Sequence, residues 1–236
     1  EIGGHAGLVE HMGLRAMRLL RRRPELLRTQ VRALLRATTA GDLRIMFPMI
    51  GGLADLREAK AFVERCAEEL SAEGIEHELP PLGCMVEVPA AALRVSRLAA
   101  ECDFLSVGTN DLVQYTLAAD RTDPEVAEVA SPLDPAVLML LGQIADGAEG
   151  SALSMCGDMA SDPLALPLVL GLGYRSLSVA VGSLPLVLEM IRQLDLGELA
   201  SLAAEACEAD DAAAVATLVR ERCGEPLGQL WREVDA

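Results

Sequence analysis

The stretch 84–121, CMVEVPAAALRVSRLAAECDFLSVGTNDLVQYTLAADR, constrains the fold more than any other part of this chain. Two short apolar runs, 82–88 and 104–107, each end in a turn that carries a carboxylate. Glu87 closes the first, and Asn110 with Asp111 follows the second. Between them PAAALRVSRLAAE spaces its apolar residues at a helical period. Strand, helix, strand with a crossover of this length predicts parallel neighbours. Neighbouring strands lie about 4.8 Å apart, so two carboxylates at the same ends of adjacent strands can share one cation. A lone Glu87 at a strand end reads as a cap or as the partner of an arginine. The turn Gly108-Thr109-Asn110-Asp111 weakens that reading. A Gly-polar-polar-acid turn opening a helix offers backbone N–H groups to an anion, with a hard oxygen ligand beside them.

The same alternation runs along the chain. Strands are predicted at 43–49, 82–88, 104–108, 152–156 and 176–181. Helices are predicted at 13–39 (broken at Pro24), 53–73, from Pro89, 111–120, 132–148, 163–172 and beyond 181. Residues 1–12 read as a loop entering a helix, and 205–211 as a solvated acidic stretch. No internal repeat is present beyond the βα alternation. With 51% hydrophobic residues among 236, the chain can bury a sizeable core as one domain. Only 3% are aromatic, which with abundant Ala, Leu and Val favours a helix-rich α/β fold.

Charge and cysteine usage exclude several classes. A net charge of -16 argues against nucleic-acid binding, since a phosphate backbone repels such a surface. Nine arginines crowd 15–44 and read as a solvated helix face. The six cysteines (66, 84, 102, 156, 207, 223) form no CxxC pair and have no His-rich partner, against both a zinc site and a disulfide framework. Cys84 and Cys102 lie in or beside apolar runs, where a free thiol behaves as a small hydrophobe. The most apolar region, 163–188, is interrupted by Arg175 and three prolines, whereas a membrane span wants about 20 uninterrupted apolar residues. No signal peptide is read, and the expectation is a reduced, cytoplasmic protein.

MVEVPAAA, SVGTNDLVQYTLAADR and SMCGDMASDP resemble Enzyme I of the bacterial phosphoenolpyruvate-dependent sugar phosphotransferase system, or the equivalent part of a multiphosphoryl transfer protein. The resemblance runs from about Gly13 to about Glu225, and is to the C-terminal phosphoenolpyruvate-binding domain, a (β/α)8 barrel. Sister pyruvate phosphate dikinases and phosphoenolpyruvate synthases usually depart from this wording after GTNDL. A closed barrel needs eight strands, so five candidates imply the last five, and the chain is expected to be one domain, 1–236, of a longer protein. The family's first three strands, with two further substrate arginines, have no counterpart here. None of His5, His11 and His77 sits in the family's Gly-rich phosphorylation motif, so the acceptor histidine is expected on a separate domain.

The resemblance implies a set of roles. Glu87 and Asp111 would hold Mg²⁺ (or Mn²⁺), bridging the carboxylate and phosphate of phosphoenolpyruvate. Arg15, Asn110 and Arg121 would bind phosphoryl oxygens; composition alone would rate Arg15 a surface arginine. Arg121 is separated from Asp111 by ten residues, about 15 Å if all were helical, so the chain must curl back. Cys156 would protonate the enolate of pyruvate as a thiol poised near neutral pH, although a strand-end Cys before Gly is on general grounds more often structural. The family usually has Glu at the position of Asp158. The implied partners are a phosphohistidine domain, the phosphocarrier protein HPr and a second copy of the chain. Competing readings are a dikinase or synthase barrel, and a non-catalytic dimerisation or regulatory remnant.

Overall fold

The computed structural model describes residues 13–234. The expected loop at 1–12, with His5 and His11, lies outside the described residues. The elements run α1 (Ala16–Arg22), α2 (Pro24–Ala37), β1 (Ile45–Phe47), α3 (Leu53–Ala72), β2 (Leu82–Val86), α4 (Pro89–Ala92), α5 (Val95–Ala99), β3 (Phe104–Gly108), α6 (Thr109–Leu117), α7 (Pro135–Gly147), β4 (Ala152–Cys156), α8 (Ala165–Gly171), α9 (Leu184–Gln193), α10 (Leu196–Cys207) and α11 (Ala212–Val234). The four strands form one parallel sheet in the order β1-β2-β3-β4. Each crossover carries helix, as parallel connections require.

One face of the sheet is the core. Cys84, Val86, Leu105, Val107 and Met155 are fully buried, while Met46, Met85 and Ser154 on the opposite face are half-buried. Helix α7 packs against α4, α5 and α10, and α10 packs closely on α8. Helices begin where prolines and acids permit: Pro24, Pro89 and Pro135 stand at the first turns of α2, α4 and α7, where a missing N–H costs nothing. Asp134 caps α7 by accepting from the Ala136 N–H at 2.8 Å.

Several boundaries differ from the sequence reading, each for a local reason. The strand expected at 43–49 shrinks to Ile45–Phe47, because Pro48 lacks an N–H and Met49 turns into the left-handed region at φ 55°. The helix from Pro89 is interrupted at Leu93 and Arg94, giving two short pieces. The helix expected at 111–120 starts at Thr109 and stops at Leu117, where Ala118 adopts φ 53°. The fifth strand, 176–181, is reduced to one parallel bridge between Met155 and Leu177. Met155 N–H donates to the Ser176 carbonyl at 2.9 Å and Ser178 N–H to the Met155 carbonyl at 2.8 Å. The chain then enters the turn Val181–Ser183 before another bridge forms. The described residues therefore contain a four-stranded sheet rather than five strands.

The contact between α8 and α10 makes a stability prediction. A Cβ built on Gly171 would fall on the backbone carbonyl of Leu199 and 2.9 Å from the Ala203 Cβ. Backbone cannot swing aside as a side chain can, so Gly171→Ala should destabilise the chain by about 1–3 kcal/mol. Gly142→Ala, in α7, meets only the Leu172 side chain at 3.4 Å and should leave the melting temperature unchanged or raise it. Equal melting temperatures for Gly171→Ala and wild type would show that the two helices do not pack this way.

Candidate functional site

Register sets the site. Val86 pairs with Val107, and Gly108 pairs with Cys156. Glu87, one residue beyond Val86, therefore lies level with Gly108 and Cys156 in a row across the carboxyl ends of β2, β3 and β4. Open parallel sheets bind ligands beyond these ends.

At the β2 end Glu87 is only 5% exposed. Its Oε1 accepts the Met49 N–H at 2.6 Å, the left-handed Met49 aiming that donor inward. Asp111, in the first turn of α6, is 8% exposed. Arg15, just before α1, grips it with both arms: Nη2 to Oδ2 at 2.9 Å and Nη1 to Oδ1 at 3.3 Å. The same Nη1 reaches the Tyr115 hydroxyl at 3.3 Å. Burial pushes the Glu87 carboxyl up to about 7. The Met49 N–H opposes this, neighbouring Asp111 adds to it, and Arg15 opposes it again. Arg15 therefore pairs directly with Asp111 and acts on Glu87 through its charge.

On the other side of the β3 end, Asn110 Oδ1 accepts the Asp158 N–H at 2.9 Å. The Thr109 hydroxyl donates to the Cys156 carbonyl at 3.1 Å. These bonds clamp the start of α6 to the turn after β4. Gly157 takes φ 101° there, and any Cβ on it would collide with the Thr109 hydroxyl. Helix α6 has no side-chain hydrogen bond capping its N-terminus at Gly108, which leaves its first N–H groups as potential anion donors. After Ala118 the chain turns back, and the Arg121 N–H donates to Gln114 Oε1 at 3.3 Å. Arg121 Nη1 pairs with Asp158 Oδ2 at 3.5 Å. A cleft of about 180 Å³ is lined by Asn110, Val113, Arg121, Asp158 and Met159 among others.

Cys156 closes the row. Its Sγ lies 3.8 Å from the Ser106 hydroxyl, which can donate to it, and 3.4 Å from the Val107 carbonyl, which can accept from it. Burial pushes the thiol above its ordinary value; the Ser106 hydroxyl opposes that, and the negative charge of Glu87 adds to it. This corrects the expectation of a thiol poised near neutral pH. The surroundings hold the proton on sulfur, as a proton donor requires and a thiolate nucleophile does not.

All six expected residues thus fall at one end of the sheet, Cys156 at the end of β4 and the other five in two groups. Glu87, Asp111 and Arg15 meet at β2 and β3; Asn110 and Arg121 meet Asp158 between β3 and β4. Four contributors escape the sequence reading. Tyr115 stands four residues after Asp111, on the same helix face, so its spacing is a usable signal. Thr109 lies inside the motif but has no role assigned by it. Ser106 and the left-handed Met49 carry no signal, since one is a mid-strand hydroxyl and the other acts through its backbone. Among the described residues no group of three or more His, Cys, Asp or Glu could hold a metal ion by itself. The Glu87–Asp111 pair suits a different mode, because Mg²⁺ is typically held by one or two carboxylates plus waters and substrate phosphate.

Comparison with known proteins follows the same residues. The family model described as PEP-utilising enzyme, PEP-binding domain, matches residues 10–196. The phosphoenolpyruvate-protein phosphotransferase of Listeria monocytogenes is 42% identical over 217 residues, 91% of this chain and 38% of that protein. Its counterpart from Staphylococcus carnosus is 43% identical over 213 residues, 89% of this chain and 37% of that protein. The chain therefore spans less than two fifths of the length of these curated relatives. Among solved structures, a citrate lyase from Burkholderia xenovorans LB400 shares the fold with a TM-score of 0.51 at 22% identity, covering 84% of this chain and 68% of that one.

Proposed function

The chain belongs to the PEP-binding domain family of PEP-utilising enzymes, and from that membership we propose that it binds phosphoenolpyruvate and serves the phosphoryl-donor step of a phosphoenolpyruvate-protein phosphotransferase. The observation that carries this reading is the buried Glu87–Asp111 pair with Arg15 on one side and Asn110–Arg121 on the other. Phosphoenolpyruvate is a compact polyanion. The site opposes it with guanidinium groups, the N–H groups at the start of α6 and a carboxylate pair suited to a divalent cation. The relatives' shared name favours the phosphotransferase over a dikinase or synthase, as do the residues YTLA and DR after GTND.

Glu87 and Asp111 would hold Mg²⁺, or Mn²⁺ in its place. When bound, the cation would neutralise charge and orient substrate oxygens. The chain's own groups do the rest. Arg15 and Arg121 neutralise phosphoryl oxygens, and the Asn110 amide donates to them; phosphoryl transfer is chiefly positioning and charge stabilisation. The phosphoryl group passes to a histidine on a separate domain, and from there to the carrier protein HPr. Cys156 gives its proton to the methylene carbon, completing pyruvate. In this reading the sheet is part of a (β/α)8 barrel, residues 1–236 are one domain of a longer cytoplasmic polypeptide, and the assembly is a homodimer.

Calorimetric titration tests the site directly. Phosphoenolpyruvate should bind the chain only with Mg²⁺ or Mn²⁺ present, and Glu87→Gln with Asp111→Asn should abolish the metal-dependent part. Undiminished metal-dependent binding in that double variant would refute the assignment.

A further inference from the structure

Cys84 and Cys102 form a second chemical site, away from the row of polar residues at the carboxyl ends of the strands. Cys84 is in the middle of β2 on its helix-covered face and is fully buried. Cys102 lies in the loop between α5 and β3 and is half-buried. Their sulfurs are 3.7 Å apart, and neither is bonded to any other sulfur. A disulfide bond is about 2.05 Å long, so closure needs an approach of roughly 1.7 Å. The loop is held in place from three sides. Arg57 Nε donates to Glu101 at 2.9 Å, and Lys60 Nζ donates to the Glu101 carbonyl at 2.7 Å. The Leu82 N–H donates to Asp103 Oδ2 at 2.7 Å. Lys60, the only lysine of the chain, also acts on Cys102 electrostatically.

From this geometry we infer that Cys84 and Cys102 are a redox-active thiol pair, in which a hydroperoxide oxidises Cys102 and Cys84 resolves it as an intramolecular disulfide. The other cysteines set the contrast. Burial raises Cys66, Cys156, Cys207 and Cys223 above the ordinary thiol value. Cys102 alone moves down, first through its hydrogen bond with Cys84 and, against burial and the charge of Asp103, through Lys60. Low-pKa, accessible thiols beside a resolving cysteine are the ones that react.

The steps balance. The Cys102 thiolate attacks one peroxide oxygen, the O–O bond breaks, and the departing alkoxide or hydroxide takes up a proton. Cys102 is then a sulfenic acid. The Cys84 sulfur attacks the Cys102 sulfur, and hydroxide leaves with the Cys84 proton as water. Overall, two thiols and one hydroperoxide give one disulfide, one alcohol (water when the oxidant is hydrogen peroxide) and one water. The product ties the middle of β2 to the entry of β3, the two strands whose far ends carry Glu87 and Asp111.

The test treats the reduced 236-residue chain with stoichiometric hydrogen peroxide and maps it after cleavage at glutamate, which separates Cys66 from Cys84. A Cys84–Cys102 cross-linked peptide that dithiothreitol reverses is the expected product. Cys102→Ser should abolish it and slow thiol loss at least about tenfold, as expected when the more reactive thiolate is removed, while Cys84→Ala should leave Cys102 as a sulfenic acid captured by dimedone. Cys102→Ser alone suffices if the buried Cys84→Ala does not fold. Overturning results are a free Cys84 thiol beside over-oxidised Cys102, or oxidation at Cys156 or Cys207 while the pair stays reduced.

Discussion

On the proposed phosphotransferase reading, replacing Cys156 with alanine should cut net conversion of phosphoenolpyruvate to pyruvate by roughly a hundred- to ten-thousandfold, with phosphoenolpyruvate affinity little changed. The split follows from where the thiol sits. It touches the Ser106 hydroxyl and the Val107 carbonyl, not the arginines or the carboxylates that would hold substrate. Burial pushes the thiol above its ordinary value, and in the proposed reaction it would act only when carbon is protonated. Removing it therefore takes away an interaction made late in the reaction. The measurement is pyruvate release against phosphoenolpyruvate binding, with the acceptor histidine of the proposed reaction supplied on a separate domain. Cys156→Ser keeps both neighbouring contacts but not the thiol acidity, and should fall between wild type and Cys156→Ala. Full turnover by Cys156→Ala would return this cysteine to a structural role.

The second large effect concerns stability and pH in the metal-free chain. Glu87 has its carboxyl raised from 4.5 to about 7, foremost by burial. A carboxyl raised on folding contributes stability that is fully present below pH 4.5 and is lost as pH climbs through 7. A tenfold change in proton affinity is worth about 1.4 kcal/mol, so wild type should lose roughly 2–3 kcal/mol from this group between about pH 5 and about pH 8. Glu87→Gln retains the oxygen that accepts the Met49 N–H and cannot ionise. Its stability relative to wild type should therefore rise by that amount over the same interval, read by urea unfolding in chelator. Added Mg²⁺ should stabilise wild type at about pH 8 and leave Glu87→Gln unmoved, because a ligand that binds only the folded state stabilises by mass action. A stability difference that is flat with pH would show that Glu87 is not held in this desolvated setting. The same group that would hold the cation thus costs the metal-free fold stability near neutral pH.

The chain is readable where chemistry is local. Apolar runs of five residues form β2, β3 and β4, and prolines and acids mark the starts of α2, α4 and α7. Glu87 and Asp111 are legible because each follows a strand, and a strand's end is set within a few residues of sequence; Cys156, at the end of β4, is singled out only by the family resemblance of SMCGDMASDP. The departures are also local in cause but not in signal. Ala118 and Met49 adopt left-handed backbone that neither residue type advertises. The segment 176–181 has strand-like composition, yet its pairing partner is only one residue of β4.

The sequence alone determined the βα alternation, the parallel sheet and the placing of Glu87, Asn110 and Asp111 at its carboxyl edge, because periodicity and turn chemistry are properties of neighbouring residues; Arg15, Arg121 and Cys156 are marked only by the family resemblance. Only the tertiary structure decided which of those residues meet. Register aligned Glu87 with Cys156, 69 positions apart, and helix packing delivered Arg15 to Asp111 across 96 positions. The left-handed Ala118 turned Arg121 back to Asp158, and the α5–β3 loop laid Cys102 against Cys84. Such contacts depend on the summed packing of segments distant in sequence, and no short stretch of residues encodes that sum.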